Sequence, residues 1–181
     1  MEKLRIYSDV AINPEYKFAG FGIIISTPKG EVLREITEGA GQISEMEARY
    51  KAVITAMEEV VSMGAKQVEI ITSSRELVQN ILKKEDVEKK ELRALYEEFK
   101  NLRQKLEKVK IGFLSYGDDA LMRRAYIEAV SGANPEEDKH RIEYPLPDQG
   151  EGIKEAERCP QCHQPFVGEW KFCPLCGTKK E

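Results

Sequence analysis

Three strand-like stretches joined by short links, followed at once by a long amphipathic helix, set the tightest limit on how this chain can fold. The strands are "LRIYSDVA" (4–11), "AGFGIIISTP" (19–28) and "EVLREITE" (31–38), the last entered through the turn "PKG" (28–30). Parallel neighbours need a crossover of a dozen or more residues, so these links predict an antiparallel meander. A helix is predicted from about Ser44 to Met63, with Met46, Tyr50, Val53, Ile54, Met57, Val60 and Val61 at three- and four-residue spacings and Gly64 closing it. "QVEIIT" (67–72) reads as a fourth strand, "RELVQNILKK" (75–84) as a short helix and "EDVEKK" (85–90) as a charged link. A longer helix is expected over 91–108, a fifth strand over 109–116 and a last helix over 120–130. The order βββαβααβα predicts an α/β fold, a mixed five-stranded sheet flanked by helices.

With 181 residues, 41% of them hydrophobic, the chain holds one packed domain and a small appendage. The 28 basic and 32 acidic residues are interspersed, so any nucleic-acid contact rests on a local patch. The start "MEKLRIYSDV" carries neither a leader pattern nor an apolar run long enough for a span, and a cytoplasmic protein is expected. The domain reading is a folded unit over 1–131, a linker over 132–157 with few residues to bury apart from Ile142, Tyr144 and Leu146, and a separate module over 158–181.

That module holds all four cysteines, as "CPQC" (Cys159, Cys162) and "CPLCG" (Cys173, Cys176), with ten residues between the pairs. Two such knuckles can set four thiolates tetrahedrally around one zinc at about 2.3 Å, and so short a segment has no other means of holding a fold. A structural Zn2+ site in a zinc ribbon is expected, with iron as the rival ion for four sulfurs. Phe166, Trp170 and Phe172 read as its small core and His163 as a surface residue. Such a ribbon can serve as a contact element for protein or nucleic acid.

In the larger unit, Asp9 interrupts an otherwise apolar strand, a costly placement unless the carboxylate is paired or binds a cation. The order βββαβα, Asp9 and the following "NP…AGFG" resemble the ribonuclease HI family, whose first strand carries Asp-Gly followed by Asn-Pro and a Gly-x-Gly strand. "EARYKAVITAMEEVVSMGAKQVEIITSSRELVQNI" (47–81) is similar to that family's central helix, fourth strand and next helix without a gap. "SYGDDALMRRA" (115–125) resembles its closing Ala-Asp-x-Leu-Ala helix start, with Asp119 at the aspartate. The resemblance implies an RNase H-like fold and a site where four carboxylates hold two divalent ions, usually Mg2+, for hydrolysis of the RNA strand of an RNA–DNA hybrid.

Two of the four implied carboxylates are present, as Asp9 and Asp119; the family register puts Arg49 at the helix glutamate and Ser73 at the fourth-strand aspartate. The four positions then carry a net charge of −1 in place of −4, which leaves two divalent ions little reason to stay. Arg49 is expected to reach Asp9, Asp119 or both, since a guanidinium relieves the repulsion between two carboxylates. On the helix wheel Glu47 and Arg49 lie about 80° to either side of the apolar stripe, so periodicity alone does not choose between them and Glu47 stands as a possible displaced ligand. The family's groove-reading Asn pair is replaced by Glu45 and Met46, whereas Asn13, Lys17 and Ser74 are candidate nucleic-acid contacts.

The leading reading is a catalytically degenerate ribonuclease HI-like protein that binds an RNA–DNA hybrid or structured RNA, or acts as an adaptor. A second is an active hybrid ribonuclease that uses Mg2+ on Asp9, Glu47 and Asp119. A third is a protein-interaction pseudoenzyme whose zinc ribbon recruits a partner.

Overall fold

A computed structural model of the protein describes residues 2–83 and 90–134 together with the strand pair 157–158 and 165–166. β1 (Lys3–Ile12), β2 (Ala19–Ser26) and β3 (Val32–Gly41) form the antiparallel meander. The helix α1 (Glu45–Ser62) then carries the chain across the sheet, so that β4 (Gln67–Thr72) pairs parallel with β1. After α2 (Arg75–Lys83) and α3 (Lys90–Arg103), β5 (Lys108–Phe113) pairs parallel with β4, and α4 (Ala120–Gly132) ends the unit. The strand order β3-β2-β1-β4-β5 is the expected mixed five-stranded sheet flanked by helices.

Both faces of the sheet are covered, which explains why every residue of β2 is buried. On one face Leu4, Ile6, Ile23 and Ile25 meet Val53, Met57 and Val60 of α1, and Phe99 and Leu102 of α3 join the same core. On the other, Tyr7, Ile24 and Ile71 meet Met122 and Ala125 of α4. α4 lies unusually close to β2: a Cβ on Gly22 would stand 2.1 Å from the Ala125 carbonyl oxygen and 2.6 Å from the Ala129 nitrogen. Those atoms belong to a helix backbone and cannot swing aside. Gly22→Ala is expected to destabilise the domain by about 2 kcal/mol, read as a lowered thermal midpoint. An unchanged midpoint would mean that α4 packs more loosely than these distances say.

Local sequence accounts for both ends of α1. Ser44 accepts from the Glu47 amide while the Glu47 carboxylate accepts from the Ser44 amide, a capping box. At the other end Gly64, at φ +75°, lets its own amide reach the Val61 carbonyl and the Ala65 amide reach the Val60 carbonyl.

The largest departures from the sequence reading lie at three boundaries. The helix expected to run to Lys108 stops at Arg103, because Lys105 and Leu106 turn back to Leu102 and Arg103 and the Glu107 amide donates to the Lys66 carbonyl. The fifth strand ends at Phe113, and β3 continues to Gly41, where it still pairs with Ala19.

The chain divides into two units, Met1–Arg141 and Ile142–Glu181. In the second, β6 (Glu157–Arg158) and β7 (Pro165–Phe166) pair antiparallel. Cys159, Cys162, Cys173 and Cys176, the linker residues Ile142, Tyr144 and Leu146, and residues 85–89 of the charged link lie outside the described residues, whereas Lys90, the last residue of that link, opens α3. No helix among the described residues is long and apolar enough to cross a membrane.

Candidate functional site

The last β1–β4 pair is Ser8 opposite Thr72, so Asp9 and Ser73 are the next residues of two parallel strands and meet at the carboxyl end of the sheet. In open α/β sheets that end is where ligand sites form. The Ser73 hydroxyl donates to Asp9 Oδ1 at 2.5 Å, and the Val10 amide donates to the same oxygen at 2.8 Å. Asp9 is 2% exposed, a placement that a lone carboxylate would not tolerate.

Its counter-charge comes from α1. Arg49 Nη1 donates to Asp9 Oδ1 and to the Ser73 hydroxyl, each at 3.3 Å. The opposite edge of the guanidinium faces Glu45, one turn earlier: Nε at 2.9 Å and Nη2 at 2.6 Å both donate to the single oxygen Glu45 Oε1. The two partners differ sharply in environment, since the Arg49 side chain is 10% exposed and that of Glu45 58%. Arg49 thus meets a buried partner on its inner edge and a solvent-exposed one on its outer edge.

Asp119 has a different task. It is the N-cap of α4, and its Oδ1 accepts from the amides of Leu121 at 2.8 Å and Met122 at 3.1 Å. Burial first, and then the negative charge of Asp119, raise the pKa of the Tyr7 hydroxyl above its ordinary value.

The structure therefore joins Asp9, Arg49 and Ser73 directly. Glu47, weighed above as a displaced ligand, places its carboxylate on the Ser44 amide at 3.0 Å and shapes the start of α1. Ser74 is buried, and its hydroxyl oxygen accepts from the Leu77 amide as the cap of α2. Asn13 uses its side-chain oxygen to accept from the Glu15 and Tyr16 amides in the β1–β2 turn, where Lys17 is exposed at φ +55°. Two features escaped the sequence reading although their signals are local. Ser-x-x-Glu at 44–47 is a capping-box pattern, and Glu45 and Arg49 stand at i,i+4 spacing with the acid first.

A pair of divalent ions would need several hard oxygens with net negative charge. Here Oδ1 of Asp9 already accepts from three groups, one of them a cation, and Ser73 offers a neutral hydroxyl. The residues at this position do not fit such a pair. Among the described residues, no group of three or more His, Cys, Asp or Glu side chains could hold a metal ion.

A model of the reverse transcriptase-like family matches residues 7–117. The chain belongs to that family. Solved structures agree on the fold of this reverse transcriptase-like chain. Ribonuclease H1 of the halophilic archaeon Halobacterium salinarum is 20% identical, over 72% of this chain and 96% of that one, with a TM-score of 0.65. The N-terminal ribonuclease H domain of a Mycobacterium tuberculosis protein, solved as a fusion with maltose-binding protein, is 20% identical over 73% of this chain and 99% of its own, at 0.66. The LC11 ribonuclease H1, isolated from compost by a metagenomic approach and solved with an RNA/DNA hybrid, is 21% identical over 72% and 96%, at 0.64. A search of curated proteins finds no match.

Proposed function

We propose that residues 1–131 form a ribonuclease HI-like domain that binds nucleic acid, an RNA–DNA hybrid or structured RNA, and no longer hydrolyses it. The observation that carries this reading is the Arg49–Asp9 pair at 3.3 Å: a guanidinium fills the position where the resemblance calls for a metal-binding glutamate. Positive charge supplied by the chain cannot activate a water as a bound divalent ion does, yet it neutralises Asp9 equally well. The fold supports the choice of ligand, since a structural neighbour was solved with an RNA/DNA hybrid. Exposed Lys17 remains a backbone contact candidate, joined by Asn13 in the same turn.

For residues 158–181 we propose a zinc ribbon in which Cys159, Cys162, Cys173 and Cys176 hold one structural Zn2+. The antiparallel pairing of β6 with β7 supports it, because the first cysteine pair lies in the connection between them. Four thiolates close the coordination sphere and leave no open position for chemistry.

The full chain, incubated with a labelled RNA–DNA hybrid, is expected to bind it equally in Mg2+ and in EDTA and to leave it intact. Elemental analysis of the same preparation should find one zinc per chain and no iron. Magnesium-dependent cleavage that Asp9→Asn abolishes would overturn the non-catalytic reading and restore the active ribonuclease.

A further inference from the structure

The guanidinium of Arg49 has two edges in unequal environments: the inner one meets a buried carboxylate and the outer one a carboxylate that is largely exposed. Its inner nitrogen Nη1 is anchored on Asp9 and Ser73 within the fold. Its outer pair, Nε and Nη2, shares the one oxygen Oε1 of a carboxylate that is mostly in solvent. The Nε–Nη2 fork matches two oxygens side by side, and Glu45 supplies one. Glu45 is the exposed member of this i,i+4 pair, so on leaving Arg49 its carboxylate regains water, and displacement by another anion costs little. Space for a replacement exists beside it, in an open groove of about 400 Å³ lined by Ile12, Asn13, Pro14, Glu45, Tyr126 and Val130.

We infer that the outer edge of Arg49 is a phosphate site for a nucleic-acid backbone, occupied in the free protein by Glu45 as an internal stand-in. This deepens the nucleic-acid reading and rests on it. A phosphodiester entering by the groove displaces Glu45 and takes Nε and Nη2 with two oxygens. Nη1 meanwhile stays on Asp9, so the arginine does not have to be repositioned on binding. No metal takes part, because the cation that meets the phosphate belongs to the chain. Glu45 therefore opposes binding twice, as a competitor for the fork and as a like charge beside the phosphate.

The test uses the full chain, a fluorescently labelled RNA–DNA hybrid and anisotropy titrations in EDTA over a range of salt. Glu45→Gln removes the competing charge and is expected to tighten binding about tenfold. It should also steepen the dependence of log Kd on log salt by about one phosphate contact. Arg49→Lys in that background keeps a cation opposite Asp9, preserving the fold, but lacks the fork; it is expected to reverse both changes. If the wild-type chain binds the hybrid and Glu45→Gln alters neither affinity nor salt slope, the phosphate site is wrong and the nucleic-acid reading stands. If neither wild type nor Glu45→Gln binds, both are overturned.

Discussion

Replacing Arg49 with methionine is expected to lower the unfolding free energy by about 3 kcal/mol, among the largest single losses this domain can suffer. The reason lies less in the bond removed than in the charge left behind. Asp9, at 2% exposure, would keep the Ser73 hydroxyl and the Val10 amide but lose its counter-ion. Removing one partner of a buried pair costs far more than removing both, since the survivor must be desolvated alone or take up a proton. Asp9→Asn combined with Arg49→Met is therefore expected to recover most of the loss. Denaturant unfolding followed by far-ultraviolet circular dichroism, run as a double-mutant cycle, measures the coupling directly. Additive effects of the two substitutions would show that Arg49 and Asp9 do not depend on each other.

The same residues show how far a sequence can be read. The strands, their succession along the chain and α1 follow from periodicity, and the antiparallel meander of β1, β2 and β3 follows from links too short for a parallel crossover. The end of α3 does not, because the charged helical spacing continues to Lys108 while the helix stops at Arg103 and the Glu107 amide donates to the Lys66 carbonyl. That hydrogen bond joins segments 41 residues apart and leaves no local trace. Asp9 and Arg49 are 40 residues apart, and only the resemblance to ribonuclease HI put them in one site. No pattern within either segment would have paired them. For Glu47 the legible signal is local: the Ser-x-x-Glu spacing predicts the capping box in which its carboxylate accepts from the Ser44 amide. Glu45 enters the sequence reading only as the replacement for one of the family's Asn pair, whereas its i,i+4 spacing from Arg49 makes it an ion-pair partner.

The largest change of behaviour is expected from Arg49→Glu combined with Ser73→Asp, which returns carboxylates to both positions where the resemblance places them. Without metal, the introduced groups crowd Asp9 with like charge and remove its counter-ion, so the variant should be less stable than the wild type in EDTA. Magnesium should reverse this: an ion at about a hundredfold its Kd adds about 2.7 kcal/mol to a fold that alone binds it. The wild type, with Arg49 in place, should show no such gain. A variant whose thermal midpoint is indifferent to magnesium would mean that the register aligning Arg49 and Ser73 with the family's carboxylates is wrong. A wild-type midpoint that rises with magnesium would point instead to a native ion site. Glu47→Gln separates that case cleanly, because glutamine still completes the capping box with Ser44 but removes the charge that a displaced ligand would supply. Loss of the magnesium response in Glu47→Gln, with the basal midpoint unchanged, would move Glu47 from the helix cap to the centre of an active site.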